Sequence, residues 1–148
     1  MELVTGDGNW ERGAASARRT RDVVVVEDDP LMADLLGDLL ADEGYTVTVL
    51  PSAFGAREAV QRRRPSAVVL DLGLPYRSGA ALLADLKADP AIAAIPVVVV
   101  SALTEALPPD RSALAAAVIG KPFPLRALLD ALCAAGARLQ PAESASRT

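Results

Sequence analysis

Four short apolar runs in this 148-residue chain each end on a residue able to do chemistry. Val23-Val24-Val25-Val26 leads into Glu27-Asp28-Asp29, and Ala67-Val68-Val69-Leu70 leads into Asp71. Val97-Val98-Val99-Val100 ends at Ser101, and Ala117-Val118-Ile119 runs through Gly120 to Lys121. If these ends share one rim, several carboxylates converge. At roughly 5 Å and an effective dielectric of about 20, each carboxylate pair repels by about 3 kcal/mol. Such crowding raises pKa values or demands a cation. With no soft ligand at hand, a hard divalent ion fits, Mg²⁺ first, with Mn²⁺ as the alternative. The hydroxyl of Ser101 and the ammonium of Lys121 complete a set of nucleophile, metal, donor and cation. That set suits phosphoryl transfer, where catalysis is mainly positioning and charge neutralisation.

Taken singly, each residue has a plainer role. Asp28 or Asp29 can cap a helix, and for Asp29 this is the favoured role. Asp71 can be a turn residue, Ser101 a loop hydroxyl and Lys121 a solvated cation. The specific signal is the agreement of all four ends.

The elements that would position these residues follow from periodicity. The β-branched run at 23–26 has the continuous apolar character of a strand covered on both faces. A helix follows, with Asp29 at its N-cap, Pro30 at its first position and a stripe of Leu31, Met32, Leu35, Leu36, Leu39 and Leu40. Gly44 ends it. Residues 45–50 read as a second strand, and 52–63 as a helix closed by Pro65. After the strand at 67–70 comes a loop with Pro75 and Gly79, then a helix over 80–88. Pro96 opens the strand at 97–100. Residues 103–116 are interrupted by Pro108-Pro109, so the fourth helix is expected to be short or displaced. Pro124 starts a last helix whose face includes Leu125, Leu128, Leu129 and Leu132. Cys133, one turn beyond Leu129, is expected to be packed.

Five strand–helix units in succession predict an α/β fold: a flavodoxin-like, doubly wound, five-stranded parallel sheet. Strand order 2-1-3-4-5 puts the switch point between the first and third strands, where ligands of such sheets sit. Residues 21–139 form the expected domain. Residues 1–20 and 140–148, rich in small and polar residues, read as flexible tails. The basic run of Arg12, Arg18, Arg19 and Arg21 reads as a solvated flank.

Composition narrows the function further. Histidine is absent, which removes His-dependent nucleophiles, His-ligated zinc and any phosphohistidine role for this chain. The single cysteine cannot form an intramolecular disulfide. A net charge of −4 and no aromatic stacking platform argue against nucleic acid as a partner. No secretion signal is legible, and no apolar stretch approaches the roughly 20 residues needed to span a bilayer. A cytoplasmic protein with no membrane partner is the expectation.

Together, Val23–Val26 with Glu27-Asp28-Asp29-Pro30, then Leu70-Asp71-Leu72-Gly73-Leu74-Pro75 through Gly79, Val100-Ser101-Ala102 and Lys121-Pro122-Phe123 resemble the receiver domain of response regulators, over roughly residues 22–138. The resemblance implies that Asp71 is the phosphoacceptor. It implies that Asp28 binds Mg²⁺ directly, as do Asp71 and the Gly73 backbone carbonyl, with Glu27 assisting through water. Ser101 would bond a phosphoryl oxygen, Ala102 would leave room for it, and Lys121 would pair with the phosphoryl group. The Lys121-Pro122 bond is typically cis in the family.

Two positions depart from the pattern. Glu27 stands where Asp is commoner, which implies altered rather than lost Mg²⁺ affinity. Val118 replaces the usual Tyr or Phe, so coupling to the output face is expected to run through the rearranged fourth segment. The implied function is that of a stand-alone response regulator acting through a protein target, with homodimerisation left open. Its phosphoryl source would be a sensor histidine kinase or a histidine phosphotransfer protein. The competing readings are a phosphorylation-independent pseudo-receiver and a haloacid-dehalogenase-like phosphohydrolase; Glu27-Asp28-Asp29 lacks the D-x-D spacing of the latter.

Overall fold

Runs of valine make the central strands. β1 (Asp22–Val26), β3 (Ala67–Leu70) and β4 (Val97–Ser101) lie side by side, flanked by β2 (Thr46–Leu50) and β5 (Ala117–Gly120). All neighbours pair in parallel, in the order β2-β1-β3-β4-β5. This computed structural model describes residues 22–73, 78–102 and 107–136. The expected tails, the arginine run at 12–21, Pro75 and the outer limits of the 21–139 domain lie outside the described residues.

Period-two alternation divides the core into two layers. Val24, Val26, Val68, Leu70, Val97 and Val99 face one side and pack under α2 (Ala56–Arg63) and α3 (Gly79–Ala88). Val23, Val25, Val69, Val98 and Val100 face the other and pack under α1 (Pro30–Asp42) and α5 (Leu125–Ala134). Both faces of the inner strands are covered, so apolar residues run without interruption there. The edge strands β2 and β5 instead mix exposed and half-buried residues.

The helix boundaries have local causes. Asp29 caps α1 by accepting from the Leu31 N–H at 3.0 Å, with Pro30 in the first turn. Gly44, at φ 99°, turns the chain out of α1, and the Tyr45 N–H bonds the Leu40 carbonyl. Tyr45 is therefore a buried connector, and β2 starts one residue later than expected. α2 begins at Ala56 rather than Ser52, because Ser52 Oγ accepts from the Phe54 N–H in a turn and Gly55 sits at φ 76°. Arg64, left-handed at φ 48°, closes α2 just before Pro65. Ser78 caps α3, its hydroxyl accepting from the Ala81 N–H at 3.1 Å.

Two expectations about side-chain placement are corrected. The core fully buries only Ala33, Leu36 and Leu40 of α1, with Met32 half-buried against it, leaving Leu31 80% and Leu35 51% exposed. The apolar stripe is wider than the surface available to cover it. On α5, Leu128, Leu129 and Leu132 are buried, but Cys133 is exposed. Cys133 lies one turn past Leu129, at the margin of the buried arc, and turns outward.

The fourth helix is a single turn, α4 (Pro109–Ser112). Pro109 occupies its first position, which tolerates proline, and it holds the preceding Pro108 extended. Arg111 Nη1 donates to the Ala80 carbonyl at 3.0 Å, tying α4 to the first turn of α3. No helix among the described residues is long and apolar enough to cross a membrane.

Candidate functional site

The sheet ladder extends one residue beyond its strands, and this places the site. The Glu27 N–H donates to the Leu50 carbonyl and the Asp71 N–H to the Val26 carbonyl, both at 3.0 Å. The Lys121 N–H donates to the Ser101 carbonyl at 3.1 Å. Glu27, Asp71 and Lys121 thus leave the carboxyl edge of the sheet with their backbones still held. Ser101, the last residue of β4, lies opposite Gly120 in the register.

Glu27 is 2% exposed, Asp71 7% and Ser101 1%, whereas Asp28 faces solvent. Carboxylate oxygens of Glu27, Asp28 and Asp71 all lie within 4.8 Å of one another. Lys121 Nζ sits 2.9 Å from Glu27 Oε1 and 3.6 Å from Asp71 Oδ2. The other Glu27 oxygen accepts from the Asp29 N–H, and Asp71 Oδ1 accepts from the Gly73 N–H, each at 3.2 Å. The Lys121-Pro122 peptide bond is cis, as expected.

Electrostatics follow from this crowding. Burial pushes the Glu27 carboxyl above its ordinary pKa, and the neighbouring Asp71 charge adds to the rise. The Lys121 hydrogen bond and the Asp29 N–H oppose that rise without cancelling it. Burial works to lower the Lys121 pKa, but the Glu27 hydrogen bond and the Asp71 charge outweigh it. The ammonium is held charged. Three oxygen donors without nitrogen or sulfur fit a hard divalent cation such as Mg²⁺. Such an ion would relieve carboxylate repulsion that the one ammonium only partly offsets.

The fold brings Glu27, Asp28, Asp71 and Lys121 into one cluster at the predicted switch point, with Ser101 and Gly73 on the same edge. Two features of this site were not read from the sequence. One is the direct Glu27–Lys121 contact between residues 94 apart. The other is the closeness of Gly79 to the Asp71 backbone: a Cβ there would stand 2.5 Å from Leu72 Cα and closer still to the Asp71 carbonyl oxygen. A glycine shortly after an acidic strand end was its only signal.

A family model for the response regulator receiver domain matches residues 23–133. The chain belongs to this family. Among curated relatives, the DNA-binding response regulator MtrA of Mycolicibacterium smegmatis is 36% identical over 83 residues, covering 56% of this chain and 35% of MtrA. Among solved structures, the BeF3-activated N-terminal receiver domain of Klebsiella pneumoniae RstA superposes with a TM-score of 0.68 at 29% identity. That match covers 79% of this chain and 98% of the other. The receiver domain of the sensor histidine kinase PA1611 from Pseudomonas aeruginosa PAO1, which has a magnesium ion coordinated in its active site cleft, gives a TM-score of 0.67 at 25% identity. It covers 76% of this chain and 93% of its own. The receiver described here spans between 29% and 62% of the length of the first curated relatives it matches. Accepting a phosphoryl group in two-component signalling is the general role of the receiver family.

Proposed function

We propose that this receiver takes a phosphoryl group from a phosphohistidine onto Asp71. The observation that carries the reading is Lys121 Nζ, 3.6 Å from Asp71 Oδ2, beside the cluster of three carboxylates. Asp71 supplies the attacking oxygen; a P–O bond forms as the P–N bond to the donor histidine breaks. The Gly73 N–H orients the carboxylate through Oδ1. Ser101 and Lys121 then bond and pair with the phosphoryl oxygens, and Ala102 leaves them room. Asp28, Asp71 and the Gly73 carbonyl would hold Mg²⁺ or Mn²⁺, with Glu27 assisting through water. The bound ion supplies charge neutralisation. The donor is a sensor histidine kinase or a histidine phosphotransfer protein, since this chain has no histidine.

Output runs through a protein partner, and the net charge of −4 favours this over direct nucleic-acid contact. The receiver acts in the cytoplasm. Val118 is exposed on β5, and α4 is a single turn tied by Arg111 to α3. These features favour a relay through residues 107–120 rather than through an aromatic ring. They also sustain a second reading, a pseudo-receiver that binds its partner without phosphorylation.

Amide spectra with beryllofluoride and Mg²⁺ separate the two. Phosphoryl reception predicts shifts at Asp71, Ser101 and Lys121 that extend into 107–120. Unchanged site resonances would favour the pseudo-receiver, and site shifts that spare 107–120 would refute the relay.

A further inference from the structure

We infer that this receiver pairs with a second copy of itself along the free edge of β2, the two strands running antiparallel about Thr48. β2 is an end strand of the sheet and bonds to β1 alone. The Leu50 carbonyl turns inward to accept from the Glu27 N–H. Backbone polar groups of successive strand residues point to opposite sides, so Thr46 and Thr48 bond inward with Leu50, while Val47 and Val49 point out of the sheet. Among the described residues, no backbone bond outside the ladder uses either valine. Natural sheets blunt such an edge with charge, proline or a bulge. Thr46-Val47-Thr48-Val49-Leu50 has none of these, and its register with β1 is unbroken.

The two outward residues stand symmetrically about Thr48, and this selects the occupant. In an antiparallel mate centred there, Val47 faces Val49 of the second copy, and Val49 faces Val47 of the second copy. Each pair exchanges both N–H···O bonds, so the outward groups of both valines are satisfied. A twofold axis relates the copies, as a closed dimer requires. Thr48 then meets Thr48 of the second copy on the α2 face, and Val49, 39% exposed, is covered on the α1 face.

Both faces suit this mate. On the α1 side, a Cβ at Gly37 would stand 3.8 Å from Val49 Cγ2, an ordinary contact. Packing within the chain does not require glycine there, and a helix interior disfavours it. Its missing side chain leaves the flank of α1 clear beside the edge. On the α2 side, a cavity of about 310 Å³ opens at the amino end of β2, lined by Thr46, Thr48, Arg62, Arg63 and Pro65 among others. Arg62 and Arg63 make no ion pair among the described residues. Phe54, 92% exposed, lies past the other end of the same strand, in the loop that leads into α2. Antiparallel pairing brings Phe54 of each copy to the cavity of the other, where the ring is covered and meets the guanidinium groups. A knob at one end of the strand and a hollow at the other is self-complementary about a twofold axis.

Sedimentation equilibrium of the full chain, without a phosphodonor, tests the pairing. The wild type should form dimers as concentration rises to roughly 1 mM. Thr48→Lys sets two ammonium groups across the axis and Thr48→Glu two carboxylates, and each should weaken dimerisation at least about tenfold. An equimolar mixture of the two variants should restore it as a heterodimer, because unlike charges then face each other at position 48. Phe54→Ser, an exposed change that leaves the core untouched, should weaken it by roughly 3- to 10-fold, and carries the test should a charged variant fail to fold. Circular dichroism confirms that each variant is folded. A wild-type monomer at every concentration, a dimer indifferent to the changes at 48 or to Phe54→Ser, or folded charged variants that stay monomeric when mixed would each overturn the inference.

Discussion

Replacing Asp28 with asparagine should make the metal-free receiver more stable. Asp28 has carboxylate neighbours within 4.8 Å in Glu27 and Asp71, while Lys121 pairs with those two acids. No ion pair to Asp28 forms among the described residues, so its charge meets chiefly repulsion. At 4.8 Å each pair costs about 3.5 kcal/mol at an effective dielectric of about 20, and about 0.9 kcal/mol at about 80. Asp28 is exposed, so the lower figure governs and salt reduces it further. Two such pairs give a gain of about 1–2 kcal/mol for Asp28→Asn in a metal chelator. Urea unfolding followed by circular dichroism measures it, with the m-value checked for constancy. Mg²⁺ should invert the ranking. Wild type gains about 2.7 kcal/mol at roughly 100 times its dissociation constant, whereas the variant has lost a proposed ligand and should gain less. A variant less stable than wild type in chelator, or equally stabilised by Mg²⁺, would refute this reasoning.

Other outcomes follow from the geometry around the site and in the core. Gly79→Ala forces a Cβ into the backbone of Asp71 and Leu72 and should cost roughly 2–4 kcal/mol, read by urea unfolding. Leu128→Ala removes a fully buried side chain and should cost about 2–5 kcal/mol, whereas Leu31→Ala, at an exposed position, should change stability by less than about 0.5 kcal/mol. Asp89 accepts from Gln61 Nε2 at 2.6 Å and from the Ala91 N–H at 3.0 Å, which lowers its pKa below 3.8. Its folded-state pKa is depressed, so its stabilisation is complete above 3.8 and is lost as pH falls through the lowered value. Carboxyl carbon NMR should place the Asp89 midpoint below 3.8, and Gln61→Ala should move it upward.

The sheet was legible because its signal is redundant. Val23–Val26 and Val97–Val100 are too short and too β-branched for helices, and each ends on a polar residue that marks the carboxyl edge. Strand order followed from parallel pairing and right-handed crossovers, and it carried Glu27, Asp28, Asp71, Ser101 and Lys121 to one rim. Periodicity failed where it had to say how much of a face is covered. Leu31 and Leu35 fit the stripe of α1 but face outward, because the core beneath covers the arc of Ala33, Leu36 and Leu40 and reaches no further than Met32 beside it. Cys133 errs in the same way on α5. The start of α2 was misplaced because Ser52, read as its first residue, forms a turn of its own. The pairing of Glu27 with Lys121 depends on side-chain reach across 94 residues of sequence, which no local pattern encodes.

The central claim is that Asp71 accepts the phosphoryl group. Intact-mass measurement after incubation with Mg²⁺ and a small phosphodonor tests it most directly. The wild-type chain should gain one base-labile phosphoryl group, and Asp71→Asn should gain none. A gain that persists in Asp71→Asn, or none in wild type under conditions where the site binds Mg²⁺, would contradict the assignment.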